Sequence, residues 1–194
     1  GQEYKDAVLI IRNMIDVWSK KGIVLLNVSP KADGTIPAEQ VEILEELGRW
    51  TGKHKDAIYA TRAGLPPGYF NGASTLSKDS TMLYLFMDYI PSGPVLLKGI
   101  MNKINRIWVV GNGTKLDHDI KMKQYWSAKP GIIYIDVPEE VLDPQVTVIA
   151  VLLDGEIDLR RAEAAKGAAR HGCRVHRITV DLRVWHLVRS GNGQ

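Results

Sequence analysis

Acidic residues crowd one stretch of this chain: Glu39, Glu42, Glu45 and Glu46 follow closely behind Asp33. Paired carboxyl groups can serve as general acid and base when one is held protonated and the other ionised. The four glutamates, however, fall at helical spacing opposite Val41, Ile43, Leu44, Leu47 and Trp50, which predicts a solvated helix surface rather than a reactive pair. Asp33 lies in a loop after an apolar run, a better place for chemistry. The pair Asp33-Gly34 also has the form of a turn, in which the carboxylate accepts local N–H groups and glycine supplies positive φ. Asn27 ends the apolar run, and its amide could bond a ligand hydroxyl or brace a neighbouring loop. His171, Cys173 and His176 offer three zinc-type ligands without a visible fourth. Asp117-His118-Asp119 reads as an exposed hairpin. Gly111-Asn112-Gly113 reads as a turn, since it lacks the third glycine, following helix and later acidic residue of a dinucleotide site.

The elements that would position these groups are legible in the pattern. Tyr4, Val8, Ile11, Ile15 and Trp18 form a helical stripe within residues 3–21, and Lys20, Lys21 and Gly22 suit a helix end, with glycine just past it. Ile23 to Leu26 is a continuous apolar run, predicting a strand covered on both faces, as parallel strands in α/β folds are. A second helix opens at Pro37, with Glu39 in its first turn. Its apolar set is Val41, Ile43, Leu44, Leu47 and Trp50, which places Trp50 in the core. Residues at the carboxyl end of such a strand, here Asn27 and Val28, face the site in barrel enzymes.

These residues carry a family resemblance. Leu25-Leu26-Asn27-Val28-Ser29-Pro30, Asp33-Gly34-Thr35-Ile36-Pro37, Gly48-Arg49-Trp50 and Ala57-Ile58-Tyr59-Ala60-Thr61-Arg62 together resemble the end of the catalytic barrel of the α-L-fucosidases of glycoside hydrolase family 29. Ser29 stands where that family usually has glycine, and Ala60 where it often has another. The resemblance extends from residue 5 to about residue 158, the later part being similar to the family's carboxyl-terminal β-sandwich. It implies an α/β plus all-β chain: the terminal helix–strand–helix of a (β/α)8 barrel (1–62), a linker (63–68), an antiparallel β-sandwich (69–158) and a basic extension (159–194). A whole barrel takes about 250 residues, so most of it would lie outside these 194.

The same resemblance implies a retaining glycosidase that removes terminal α-linked fucose from glycans or glycosides, without metal or organic cofactor. Retaining glycosidases need two carboxyl groups about 5–5.5 Å apart. The family's nucleophile is an aspartate on an earlier strand, so no catalytic residue is assigned here and the chain alone is expected to be inactive. The start at Gly1-Gln2 agrees with a fragment of a longer protein and equally with a processed terminus. Asn27, Val28 and Asp33 are the candidate substrate contacts, Val28 either meeting the methyl group of the 6-deoxy sugar or filling the barrel mouth. The expected partners are a fucosylated glycan and the remainder of the barrel. The localisation implied is periplasmic or extracellular. The alternative is a non-catalytic β-sandwich module that binds carbohydrate or a partner protein.

Composition agrees with an ordinary folded chain: 45% of residues are hydrophobic and 24% charged, enough for a sizeable core. A net charge of +3, with basic residues scattered through the first 150 positions, speaks against a nucleic-acid stripe. No apolar run reaches membrane-spanning length. Cys173, the single cysteine, permits no internal disulfide. Turn residues at Pro91-Ser92-Gly93-Pro94, Lys129-Pro130-Gly131 and Asp143-Pro144 separate runs at 81–88, 95–97, 104–110, 132–136 and 146–153, predicting antiparallel strands. Within the first run, Met82, Tyr84 and Phe86 share one face and Leu83, Leu85 and Met87 the other, as expected of a central strand. Beyond Leu159, Arg160, Arg161, Lys166, Arg170, Arg174 and Arg177 make the tail basic; its pattern suggests a helix and then a strand.

Overall fold

A computed structural model describes residues 4–160 and the backbone of 177–181. Helix α1 (Ala7–Ser19) leads into strand β1 (Ile23–Asn27), followed by α2 (Ala38–Lys53) and the short α3 (Lys55–Ile58). Then come β2 (Thr61–Ala63), β3 (Ala73–Ser77), β4 (Met82–Met87), β5 (Val95–Leu97), β6 (Ile104–Val109), β7 (His118–Lys121), β8 (Ile132–Ile135), β9 (Thr147–Leu153) and β10 (Arg177–Asp181). Five of these form a sheet in the order β2-β3-β4-β9-β6, and β5-β8-β7 form a second; every pairing in both is antiparallel. The five apolar runs read from sequence each become a strand, β5 with the same bounds and the other four one residue shorter at one end or both.

One hydrophobic cluster fills the space between the two sheets, joining Leu83, Leu85 and Met87 of β4 to Val95, Leu97, Ile133 and Ile135 of the smaller sheet. A second lies on the other side of the larger sheet, where Tyr84, Phe86, Val148 and Ala150 meet Ile10, Ile11, Ile15, Leu47 and Trp50 from the helices. Strand β4 is therefore apolar on both faces because each face meets a different layer, and it sits third of five in its sheet. Strand β2 crosses position 62, where the sequence turns from helix-rich to strand-rich, and pairs with β3 from Thr61↔Ser77 to Ala63↔Thr75. Just beyond it, the Gly64 amide donates to the Ser19 carbonyl at 3.2 Å, tying the sheet edge to the end of α1.

Helix α1 is shorter than its periodic stripe. Asp6 accepts from the Val8 amide at 3.4 Å and starts it. Its end differs from expectation by one residue. Lys21, not Gly22, takes the left-handed conformation, with φ 61°. The Gly22 amide donates to the Val17 carbonyl at 2.8 Å and the Lys21 amide to the Trp18 carbonyl at 2.9 Å, a Schellman closure with a lysine at the position that favours glycine. Lys21→Gly is accordingly expected to stabilise the fold by about 0.5–1 kcal/mol through relief of the Cβ penalty, read as a higher urea midpoint at unchanged slope.

Strand β1 departs further from its sequence reading. Val24 and Leu26 are half-buried on the helix side, but Ile23 is 60% and Leu25 52% exposed. The expected cover on both faces is thus present on one only: α1 and α2 supply that layer, and no described residue covers the other. The backbone of β10 pairs with β1 in parallel, from Ile23↔Arg177 to Asn27↔Asp181, closing one edge of the strand. The pattern of the tail thus foresaw a strand, though not its partner. No helix among the described residues is long and apolar enough to cross a membrane.

Candidate functional site: the loop beyond the first strand

The chain leaves β1 at Asn27 and reaches α2 through residues 28–37. Asn27 is exposed, and its amide has no hydrogen-bond partner among the described residues, so it does not brace this loop. Val28 is half-buried and packs against the cluster beneath the helices, as does Leu26. Asp33 spends one carboxylate oxygen on its own turn: Oδ1 accepts from the Thr35 amide at 2.9 Å and from the Thr35 hydroxyl at 2.7 Å. Those two bonds, the amide's first, hold its carboxyl below the ordinary carboxylate range. Gly34 follows with φ 84° and donates to the Lys31 carbonyl at 3.0 Å. The turn chemistry read from Asp33-Gly34 is what forms.

The brace of this loop is Gln40, which is not among the residues singled out from the sequence. Gln40 is 0% exposed; its Oε1 accepts from the Ser29 amide at 3.1 Å and its Nε2 donates to the Ser29 carbonyl at 3.3 Å. The apolar spacing puts Val41 on the buried face of α2, but Val41 is 36% exposed and Gln40 takes that position. The signal was present: Gln40 lies four residues before Leu44 and seven before Leu47, on the apolar stripe. A polar side chain at such a position has to find partners inside, and the loop backbone supplies them.

The glutamates behave as a helix surface. Glu39, Glu42 and Glu45 are exposed, while Glu46 accepts from Gln145 Nε2 at 2.6 Å and lies 3.9 Å from Arg49. Trp50 is 1% exposed and donates from Nε1 to the Val146 carbonyl at 3.1 Å, which makes it a core residue. Asp117 and Asp119 are exposed at the start of a hairpin whose arms are β7 and β8, and residues 111–113 form the tight turn after β6. His171, Cys173 and His176 lie outside the described residues.

Behind Trp50 sits His54, 0% exposed, its ring centroid 4.7 Å from that of the tryptophan. Nδ1 lies 2.9 Å from the Trp50 carbonyl and so carries the proton it donates. Nε2 is buried without a partner among the described residues. Protonating it would bury a charge, and burial lowers the pKa, against the opposing pull of the Trp50 carbonyl and Asp143. A depressed folded-state pKa means the unfolded chain binds the proton more readily. The neutral ring's contribution is therefore complete above about pH 6.5 and is lost as the pH falls from there through the folded-state value. Urea midpoints are expected to drop in that window, and His54→Gln to flatten the drop. The lowered pKa values of Asp33 and Asp79 place their losses in a separate, more acidic window.

Residues 1–56 match the family model described as alpha-L-fucosidase. An alpha-L-fucosidase of Dictyostelium discoideum is 27% identical over 132 residues, covering 67% of this chain and 29% of that protein. The alpha-L-fucosidase of Vibrio sp. strain EJY3 superposes with a TM-score of 0.68 at 25% identity, over 80% of this chain and 27% of that one. This chain resembles the α-L-fucosidases. Isoenzyme 1 of Paenibacillus thiaminolyticus agrees, with a TM-score of 0.64 and 27% identity over 78% of this chain and 35% of its own. The likeness to these glycoside hydrolases runs well past residue 56, into the paired sheets. The chain thus spans roughly a third or less of the length of the fucosidases it matches.

Proposed function

We propose that these residues are the carboxyl-terminal part of a retaining α-L-fucosidase: α1, β1 and α2 as the last wedge of a (β/α)8 barrel, and the two antiparallel sheets as its β-sandwich. The observation that carries this reading is the half-covered β1. Its helix side is packed, whereas Ile23 and Leu25 stand open. A barrel strand turns one face to its helices and the other to the layered interior, where branched side chains from alternate strands stack. Ile23 and Leu25 are the residue types for that interior, and a sheltered interior would bury them.

On this reading the carboxyl end of β1 belongs to the barrel rim. Asn27, with an uncommitted amide, and Val28 are the contacts offered to the sugar; Asp33 shapes the rim loop through its bonds to Thr35. Nucleophile and acid/base come from the rest of the barrel, so the fragment does not hydrolyse fucosides unaided, and a periplasmic or extracellular setting follows from the resemblance. An aryl α-L-fucoside tests this, offered to the chain alone and to the chain mixed with the polypeptide encoded upstream. Turnover is expected only in the mixture. Turnover by the chain alone, or an associated mixture with none, would overturn the proposal.

A further inference from the structure

The outer face of the smaller sheet is not what water alone would select. Alternation along β5 and β8 turns Val95, Leu97, Ile133 and Ile135 inward, leaving Leu96, Ile132 and Tyr134 outside, with Leu96 and Tyr134 opposite each other in register. A solvated sheet face is ordinarily polar. Over this one, residues 68–71 and 89–94 raise walls around a cleft of about 600 Å³, into which Tyr69, Tyr89 and Tyr134 all contribute. A second cleft, of about 470 Å³, shares Gly68, Tyr69 and Lys98 with the first and carries the groove past Ile132 to Arg160.

Tyr69 stands where the two clefts join, and it is locked. Its hydroxyl donates to the Arg160 carbonyl at 2.7 Å. Its ring lies so close to Gly99 that a Cβ there would come within 2.6 Å of a ring carbon, and Gly99 itself has φ 70°. An aromatic ring fixed in advance loses no rotamer freedom when a ligand arrives. Tyr134 has Lys121 Nζ 5.0 Å from its ring centroid, which holds the ring from the β7 side. The polar groups here are uncommitted: the hydroxyls of Tyr89 and Tyr134, and the side chains of Asn71, Ser92 and Lys98, have no hydrogen-bond partner among the described residues.

Flat apolar rings, neutral donors and acceptors between them, one cation and no carboxylate in the first cleft describe a ligand with both C–H faces and hydroxyl groups. A protein partner would need about 800 Å² of continuous surface on each side; a walled cleft with a few convergent polar groups suits a small molecule. We propose that this groove is a saccharide-binding site, built on the sheets and independent of the barrel wedge. Sugar rings would stack on Tyr69 and Tyr134 while their hydroxyls pair with Asn71, Ser92 and Lys98.

The test is amide NMR of the full chain titrated with lactose and, separately, with a fucosylated lactose. Millimolar sugar is expected to shift the amides of 68–71, 89–98 and 132–134. Tyr134 projects outward, so Tyr134→Ala should fold normally, and it should weaken binding by roughly tenfold, the loss of one stacked face. Tyr134→Phe should keep most of the affinity, and Tyr89→Ala supplies a second truncation on a different wall. The proposal is overturned if neither sugar moves these amides, or if the shifts survive both alanine variants unchanged. Lactose contains no fucose, so a response to it does not depend on the fucosidase reading, and fucoside turnover in the reconstituted mixture is read separately.

Discussion

Replacing Trp50 with alanine is expected to cost about 3–5 kcal/mol, a large part of the total stability of a domain this size. The indole is buried between α2 and the larger sheet, with Phe86 6.5 Å and His54 4.7 Å away between ring centroids. Its removal leaves a cavity that helices anchored at both ends cannot collapse into. It also strips the Val146 carbonyl of its donor at the point where the chain enters β9. Trp50→Phe keeps a smaller aromatic ring in place and removes the donor, so most of the cavity is filled and the cost falls to about 1–3 kcal/mol. Urea unfolding of the two variants checks both values. If Trp50→Ala lost less than about 1 kcal/mol, the helices and the sheet would not share this core.

The second large effect comes from adding a single methyl group. A Cβ at Gly64 would lie 1.9 Å from the Ser74 carbonyl oxygen and 2.3 Å from its hydroxyl, both parts of strand β3. Backbone held in a ladder cannot step aside as a flexible side chain does, and the same Ser74 hydroxyl already accepts from the Leu65 amide at 2.8 Å. Gly64→Ala is expected to cost about 3 kcal/mol or more, or to yield little folded chain. Gly48→Ala provides the opposite sign. Gly48 lies within α2, and a Cβ there meets nothing within 4 Å, so the change should stabilise by about 0.5–1 kcal/mol through helix propensity and lower chain entropy. Thermal or urea denaturation of the pair distinguishes close backbone approach from mere glycine flexibility.

Neither glycine advertises its role in the sequence, and that contrast marks the limit of reading by pattern. Helical spacing of apolar residues located α1 and α2, because burial of one face imposes a period, while β1 and five strands of the sheets were legible as short apolar runs bounded by turn residues. Alternation along the run assigned the two faces of β4 as they fold, since side chains point to opposite sides in strict turn. The short strands β2, β3 and β7 have no such run: Thr61–Ala63, Ala73–Ser77 and His118–Lys121 contain few large apolar residues, and they are strands because the next strand along the chain pairs with each of them. Among the candidate site residues, the turn at Asp33 was legible because its bonds reach only two residues ahead. The brace from Gln40 to Ser29 spans eleven positions and needed the fold.

By itself the amino-acid sequence determined the local order of helices, strands and turns, and its motifs carried the likeness to α-L-fucosidases, because capping, alternation and turn chemistry act over a few neighbouring residues. Only the tertiary structure decided that β1 keeps one side open, that β10 lies parallel beside it and that Tyr69, Tyr89 and Tyr134 converge on one groove. These depend on which surfaces remain once distant segments have packed, and packing is a property of the assembled layers that no short window of sequence contains.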